Sequence, residues 1–160
     1  MTKSVYSTII FFILAILFTI LVMPYLPIFL RPNLILAFII LCSFHIGFQK
    51  SIWHWIIGGI LLDNFTLFKL PVNSIIFISL FIVMIIFSKT FDYTTQMSKM
   101  VTSYLLISLY YISWFFINWI ALQKVNWLLF LYLLETLLIW SLMFKLISKT
   151  TRNEKALHII

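Results

Sequence analysis

Two carboxylates lie inside long apolar stretches of the sequence, and their positions indicate a specific role more strongly than those of any other residues. Asp63 follows the apolar run that contains Gly58 and Gly59, and Glu135 lies within the run that begins at Trp127. An ionised carboxylate in hydrocarbon costs several kcal/mol unless protein or water surrounds it. We therefore expect both side chains to face protein or water, not lipid.

The sequence leaves two interpretations of Asp63 open. In the first, a helix over residues 52–70 places Asp63 near mid-membrane as an inward-facing contact or relay residue. In the second, the helix breaks at residues 63–66, and Asp63 caps a re-entrant turn. In either case the carboxylate has to find hydrogen-bond donors within the protein or in water.

Glu135 is interpreted as a structural carboxylate, partnered or protonated, with Asn118 and His45 as candidate partners. A proton pathway aligns several ionisable groups on one face of a bundle, and the sequence offers no such series here. His45 and His54 have no Cys or carboxylate at the spacing of a metal site. The sequence therefore predicts no metal site, a core position for His45 and an interfacial position for His54.

Sequence signatures of catalysis are absent. The chain lacks Gly-rich phosphate loops, nucleophile elbows, paired carboxylates and metal-ligand clusters. We therefore expect no enzymatic activity, no cofactor and no small-molecule substrate. A lipid-modifying membrane enzyme is the least supported hypothesis, because the acidic residues are dispersed as Asp63, Asp92, Glu135 and Glu154.

The composition requires lipid as the surrounding solvent. Of 160 residues, 64% are hydrophobic and 9% are charged, whereas about a quarter of the residues in a soluble domain are charged. The net charge of +7 comes from Lys and Arg residues placed singly between apolar runs, and these form no basic face of the kind that binds nucleic acid. The single cysteine, Cys42, lies in an apolar run and is predicted to pack there.

The apolar runs predict an all-α membrane protein, with residues 1–160 forming a single transmembrane domain of six helices. About 20 residues are needed to cross a hydrocarbon core of about 30 Å. The first run is interpreted as a retained anchor, because it ends at Met23 and Pro24 and not in the small residues of a cleavable signal. The predicted spans are residues 5–23, 33–49, 52–70, 72–87, 101–122 and 127–147.

The distribution of Lys and Arg predicts both termini in the cytoplasm, because cytoplasmic loops carry the excess of these residues. With six spans, the side that holds the termini carries Lys3, Lys50, Lys89, Lys99, Lys145, Lys149, Arg152 and Lys155. The opposite side carries Arg31, Lys69 and Lys124. A five-span alternative, in which the third run only dips into the membrane, would place the basic tail outside and remove this bias.

Two adjacent glycines, Gly58 and Gly59, mark a predicted contact between helices. Small residues let helix backbones approach closely in a membrane. The aromatic residues make up 19% of the chain, and we expect them to face lipid or to form belts at the membrane interfaces.

Three short motifs follow one another in the first half of the chain. They are Arg31-Pro32-Asn33-Leu34, Gly58-Gly59-Ile60-Leu61-Leu62-Asp63 and Leu70-Pro71-Val72-Asn73-Ser74. In their order and spacing these motifs resemble the rod shape-determining protein MreD family of bacterial inner-membrane proteins. The chain length, the first-span anchor and the short basic tail also resemble that family. Pro71 stands where the family often has glycine, and the residues after Asp63 replace its small-residue turn.

The resemblance implies a non-enzymatic component of the bacterial cell-elongation machinery in the inner membrane. The implied partners are an MreC-like protein, the MreB cytoskeleton, and the RodA and penicillin-binding-protein pair that build side-wall peptidoglycan. Within such a scaffold we expect Arg31 and Asn73 at the periplasmic edge. The residues expected to serve partner contacts or helix packing are Arg31, Pro32, Asn33, Gly58, Gly59, Asp63, Asn73 and Glu135.

The architecture of the MreD family has been likened to the six-helix substrate-binding subunits of ECF-type vitamin transporters. That likeness concerns the fold and does not transfer function. A substrate-binding membrane subunit of a small-molecule transporter is therefore the alternative hypothesis. It requires a polar-lined cavity, and the sequence offers few side chains to line one.

Overall fold

The computed structural model describes residues 33–64, 70–90, 95–122 and 127–157, together with the separate residues Ile13, Ile16, Leu17, Thr19, Leu21 and Tyr25. The predicted first span, residues 5–23, lies largely outside the described residues, and so do the connectors at 65–69, 91–94 and 123–126. Within the described part, all regular secondary structure is helical. The prediction of an all-α chain is confirmed at that level.

Five α-helices and a 3₁₀ turn at Gln49–Ser51 form the described chain. The helices are α1 Leu34–Ile46, α2 Ile52–Asn64, α3 Val72–Thr90, α4 Gln96–Leu122 and α5 Leu128–Leu157. Three stretches are long and apolar enough to cross a membrane, namely Val72–Lys89, Gln96–Ile120 and Leu128–Lys145. By length and composition, these helices indicate a membrane protein.

The helix bounds differ from the predicted spans at several ends. α1 stops at Ile46, where Gly47 adopts a φ of 96°, a backbone conformation that glycine adopts far more readily than other residues. α2 is described as far as Asn64, and residues 65–69 of the predicted span lie outside the described residues. α4 begins at Gln96 instead of residue 101, and α5 continues to Leu157 instead of residue 147. Hydropathy locates only the apolar part of a helix. In α4 the helix also includes the polar residues before that part, and in α5 it includes the polar residues after it.

Neighbouring helices run antiparallel, as the side-chain contacts show. The Tyr111 hydroxyl lies 2.7 Å from Thr136 Oγ1, and the Tyr104 hydroxyl lies 2.6 Å from Ser141 Oγ. As the residue number decreases along α4, the number of the contacted residue on α5 increases, so the two helices are antiparallel. The last turn of α2 meets the first turn of α3 through Asp63. The starts of α1 and α3 and the end of α2 consequently lie at one end of the bundle.

α1 lies at the centre of the bundle and contacts α2, α4 and α5. Its buried residues are Ile35, Leu36, Ala37, Ile39, Ile40, Leu41, Cys42 and Ser43. A helix that is apolar on all sides is expected to be surrounded by protein or lipid. Trp55 of α2 is fully buried and donates its indole N–H to Ser43 Oγ at 2.9 Å. This bond ties α2 to the central helix.

Gly58 and Gly59 let α2 pack closely against two helices at once. A Cβ atom at Gly58 would meet the Ile39 side chain of α1, and one at Gly59 would lie 2.7 Å from Ser74 Cα of α3. Neither separation leaves room for a methyl group without movement of the neighbour. The sequence predicted one packing contact at this pair, and the structure places a contact on each side of α2.

Candidate functional site

Two hydrogen-bonded clusters, which meet at the rings of the consecutive residues Tyr110 and Tyr111, are here together called the polar network and join the five described helices toward one end of the bundle. Its members are Asn33, Asp63, Asn73, Ser74, Tyr110, Tyr111, Trp114 and Thr136. Asn33, Asp63 and Asn73 each come from a different one of the three sequence motifs. Residues that are far apart in the sequence therefore meet in one place.

Asp63 caps the helix that follows its own. Its Oδ1 accepts a hydrogen bond from the Asn73 backbone N–H at 2.7 Å, and its Oδ2 accepts from the Ser74 N–H at 2.9 Å and the Ser74 hydroxyl at 2.6 Å. The first-turn N–H groups of α3 have no acceptors within that helix. A carboxylate placed there satisfies them and interacts favourably with the helix dipole.

The structure describes α2 as far as Asn64, and residues 65–69 lie outside the described residues. The predicted continuation of the helix toward residue 70 and the predicted break at residues 63–66 therefore both stay predictions. The carboxylate caps α3, the helix that follows, because the close approach at Gly59 brings the start of α3 beside the last described turn of α2.

Asn73 links α3 to α4 from a buried position. Its Oδ1 accepts hydrogen bonds from the Tyr110 hydroxyl at 2.9 Å and from the Trp114 indole N–H at 3.0 Å. Only 1% of the Asn73 surface is exposed, and Asn73 is the second residue of the apolar stretch Val72–Lys89, so its expected position at the periplasmic edge stays a prediction. Two donors to one amide oxygen hold α3 and α4 at a fixed register.

Thr136 joins α1, α4 and α5 through a single hydroxyl. Its Oγ1 donates to the Tyr132 carbonyl at 2.8 Å and lies 3.0 Å from the Asn33 N–H and 2.7 Å from the Tyr111 hydroxyl. Because the only hydroxyl proton of Thr136 is directed to Tyr132, Tyr111 is the donor. Asn33 also caps α1, since its Oδ1 accepts from Leu36 N at 3.0 Å.

The polar network lies some distance along α4 and α5 from the connector that joins these two helices. At about 1.5 Å per residue, the helical segments Trp114–Leu122 and Leu128–Thr136 each extend roughly 12 Å past the network. That distance is a large fraction of a hydrocarbon core about 30 Å thick. Polar groups in an apolar bundle must be paired within the protein, and the network pairs the Asp63 carboxylate, the Asn73 amide oxygen and the Thr136 hydroxyl.

Glu135 precedes Thr136 on α5 and is partly buried. His45, one of its predicted partners, lies in the last turn of α1, whereas the start of α1 at Asn33 contacts Thr136. The length of α1 separates the two, so His45 is not the partner of Glu135. Asn118, the other predicted partner, donates its Nδ2–H to a backbone carbonyl of its own helix at 2.8 Å.

Of the remaining predicted site residues, the structure describes the two glycines but not the start of the first motif. Arg31 and Pro32 lie outside the described residues, so the first motif is seen from Asn33 onward. Gly58 and Gly59 lie on α2 between α1 and α3. Across the described ranges, no group of three or more His, Cys, Asp or Glu residues is placed to hold a metal ion.

Sequence reasoning missed the residues that complete the network, namely Tyr110, Tyr111, Trp114 and Thr136. A signal for them exists in the sequence. Tyr and Trp carry a polar group that seeks a hydrogen-bond partner when buried, and these residues lie in the middle of an apolar run, away from the helix ends where an interfacial belt would place them. The sequence alone does not show which of the many aromatic residues face inward.

Comparisons with known proteins do not assign the chain to a family. No family model, no curated protein and no solved structure matches it.

Proposed function

We propose that this chain is a non-enzymatic scaffold of the bacterial cell-elongation machinery, of the kind that the MreD resemblance implies. In this proposal it crosses the cytoplasmic membrane six times with both termini in the cytoplasm. It binds an MreC-like membrane partner and, together with MreB, RodA and a penicillin-binding protein, organises the synthesis of side-wall peptidoglycan.

The observation that carries the proposal is the convergence of the three motifs. Asn33, Asp63 and Asn73 belong to one polar network. Gly59 of the second motif also packs on Ser74 of the third. Short motifs carry little weight one by one, but residues that meet in the fold form one structural unit. This supports treating the three motifs as a single signature, as the resemblance does.

The physical basis of a scaffold role is the rigid placement of exposed helix faces. α3 presents an exposed aliphatic stripe formed by Ile75, Ile78, Ile82 and Ile86. In lipid, helices associate through close packing and a few polar contacts, so a face of this type can bind another membrane helix. The polar network fixes the start of α3 against α2 and α4, and thereby fixes the direction in which this stripe points.

The transporter alternative requires a ligand cavity of about 300 Å³ or more with several polar groups. A cleft between α4 and α5 has a volume of about 90 Å³. Its lining is almost wholly apolar and consists of Tyr111, Ile112, Phe115, Leu129, Phe130 and Leu133. This cleft does not favour vitamin binding, and the scaffold therefore stays the proposal.

Co-purification with the Asp63→Leu variant tests the proposed function. The wild-type chain, purified from membranes of its own cell with mild detergent, is expected to carry an MreC-like protein. Asp63→Leu removes the cap of α3, misplaces the α3 face and is expected to reduce the captured partner severalfold while insertion persists. Asp92→Leu is the matched control, because it removes the same charge from the connector between α3 and α4, away from the network.

Membrane levels and the elution profile of each variant show whether it is inserted and monodisperse. Normal partner capture and normal rod-shaped cells with an inserted Asp63→Leu variant would count against the proposal. So would a wild-type chain that carries no elongation protein. Specific stabilisation of the purified chain by a vitamin in a thermal-shift screen would favour the transporter alternative instead.

A further inference from the structure

The lysines whose side chains the structure describes all lie at the end of the bundle opposite the polar network. Lys50 lies in the turn between α1 and α2, Lys89 in the last turn of α3, and Lys99 in the first turn of α4. Lys145 closes the apolar stretch of α5. We call this group of four the lysine end. The acids with described side chains, Asp63 and Glu135, lie toward the other end.

The lysines mark a single membrane boundary. Lys89 and Lys145 are the last residues of two stretches that are apolar enough to span a membrane, and Lys99 lies at the start of the third. The Tyr104–Ser141 contact at 2.6 Å sets the register of α4 against α5. Lys99 and Lys145 follow that contact toward the lysine end by five and four residues, so they lie at nearly the same depth.

Two further features place the lysine end at a headgroup layer. Trp53, close to Lys50 at the start of α2, is 67% exposed, and an exposed tryptophan at a helix end is typical of a membrane interface. α5 stays helical to Leu157. This extension beyond Lys145 carries Lys149, Arg152 and Lys155 with only Glu154 as an acid.

Three of the four lysines have no ion pair with a described residue. Among the residues that the structure describes, no salt bridge engages Lys50, Lys89 or Lys99. At the boundary of a bilayer, the abundant anion is the phosphate of a phospholipid headgroup. Basic residues at that depth attract anionic lipids, and each contributes separately.

We propose that the lysine end is a binding surface for anionic phospholipid headgroups, with Lys99 and Lys145 at neighbouring positions on α4 and α5 as its main contacts. The surface holds a shell of anionic lipid around this end of the bundle. The inference is independent of the role in cell elongation, because it depends only on the charges and their depth.

Lipid titration of the purified full-length chain tests this inference. Phosphatidylglycerol is titrated into the detergent-solubilised protein, and the thermal unfolding midpoint gives an apparent affinity. Phosphatidylcholine with the same acyl chains and inorganic phosphate alone form the other two arms. We expect stabilisation by phosphatidylglycerol and much weaker stabilisation by the other two, because the lysine end binds a negatively charged headgroup that is held at the membrane boundary.

A pair of double variants locates the surface. Lys99→Gln with Lys145→Gln removes two charges at the lysine end and is expected to weaken the apparent affinity for phosphatidylglycerol by tenfold or more, at roughly fivefold per lysine. Arg31→Gln with Lys124→Gln removes the same charge from connectors predicted on the other side, and we expect a change below about twofold there.

Three results would overturn the inference. They are equal stabilisation by phosphatidylcholine, equal stabilisation by inorganic phosphate, and an equal loss of affinity in both double variants, which would indicate net charge without a defined surface. If the first double variant does not fold, the single variants Lys99→Gln and Lys145→Gln replace it. Each single variant is then expected to show roughly a fivefold loss, and an unchanged affinity in both contradicts the proposal.

Discussion

At the level of single residues, Asp63 and α3 satisfy each other's hydrogen-bonding needs. The carboxylate requires donors in an apolar bundle, and the Asn73 and Ser74 N–H groups require acceptors that their own helix does not supply. Only a residue with two acceptor oxygens can receive both N–H groups and the Ser74 hydroxyl together. This explains how the last described turn of α2 can hold an acid inside an apolar bundle.

Replacing Asp63 by Asn tests this account of the cap. Asparagine keeps one acceptor oxygen and turns an N–H donor toward the first turn of α3, so we expect the unfolding free energy to fall by about 1–2 kcal/mol. Ser74→Ala removes only the hydroxyl bond and should cost less. Thermal unfolding of both variants in one detergent provides the comparison. Equal losses would mean that the backbone caps contribute little.

Thr136 provides a second test at this scale, because one hydroxyl serves two helices besides its own. Thr136→Val keeps the side-chain shape but leaves the Asn33 N–H and the Tyr111 hydroxyl without this acceptor. We expect the free energy of unfolding to fall by about 1–3 kcal/mol, because two donors lose their acceptor. Thr102→Val is the control. Thr102 is buried like Thr136, but it lies on α4 and outside the network. Similar midpoints for the two variants would contradict the role of Thr136.

At the level of elements, α1 is short for a membrane helix. It has 13 residues, about 20 Å at 1.5 Å per residue, against a hydrocarbon core of about 30 Å. Asn33 of the polar network caps its start. α2 can pack between α1 and α3 because Gly58 and Gly59 leave room on both sides.

The two glycines should differ in their tolerance of alanine. The added methyl group at Gly59 would lie 2.7 Å from backbone Ser74 Cα, so α2 and α3 must separate, and a loss of about 1–3 kcal/mol is expected. At Gly58 the nearest atom belongs to the end of the Ile39 side chain, which can rotate. We therefore expect a smaller fall in the unfolding midpoint for Gly58→Ala. The reverse order would show that the α2–α3 contact is looser than described.

Much of the helix pattern was predictable from the sequence, and the contacts were not. Apolar runs and breakers located α3 and the apolar parts of α4 and α5, because hydropathy reports burial in lipid directly. The capping of α3 by Asp63 was missed because it depends on a contact between two helices. Asp63 and Asn73 were singled out by type and motif. Tyr111 and Thr136 were missed because inward orientation depends on packing that a single sequence does not reveal.

At the level of the whole molecule, charge and polarity are divided between the two ends of the bundle. The described lysines lie at one end, and the network with Asp63 lies toward the other. In the six-span proposal the lysine end faces the cytoplasm. The α4–α5 hairpin then projects on the periplasmic side, where Trp119 and Trp127, which are 55% and 71% exposed, match an interfacial belt.

Cysteine labelling of intact cells tests the membrane-spanning arrangement most directly. Single cysteines at positions 50, 124 and 155, in a Cys42→Ser background, are treated with a membrane-impermeant thiol reagent before and after permeabilisation. We expect the Lys124→Cys protein to be labelled in intact cells and the Lys50→Cys and Lys155→Cys proteins only after permeabilisation. Labelling of positions 50 and 124 from the same side would contradict the arrangement, because α2, α3 and α4 separate them.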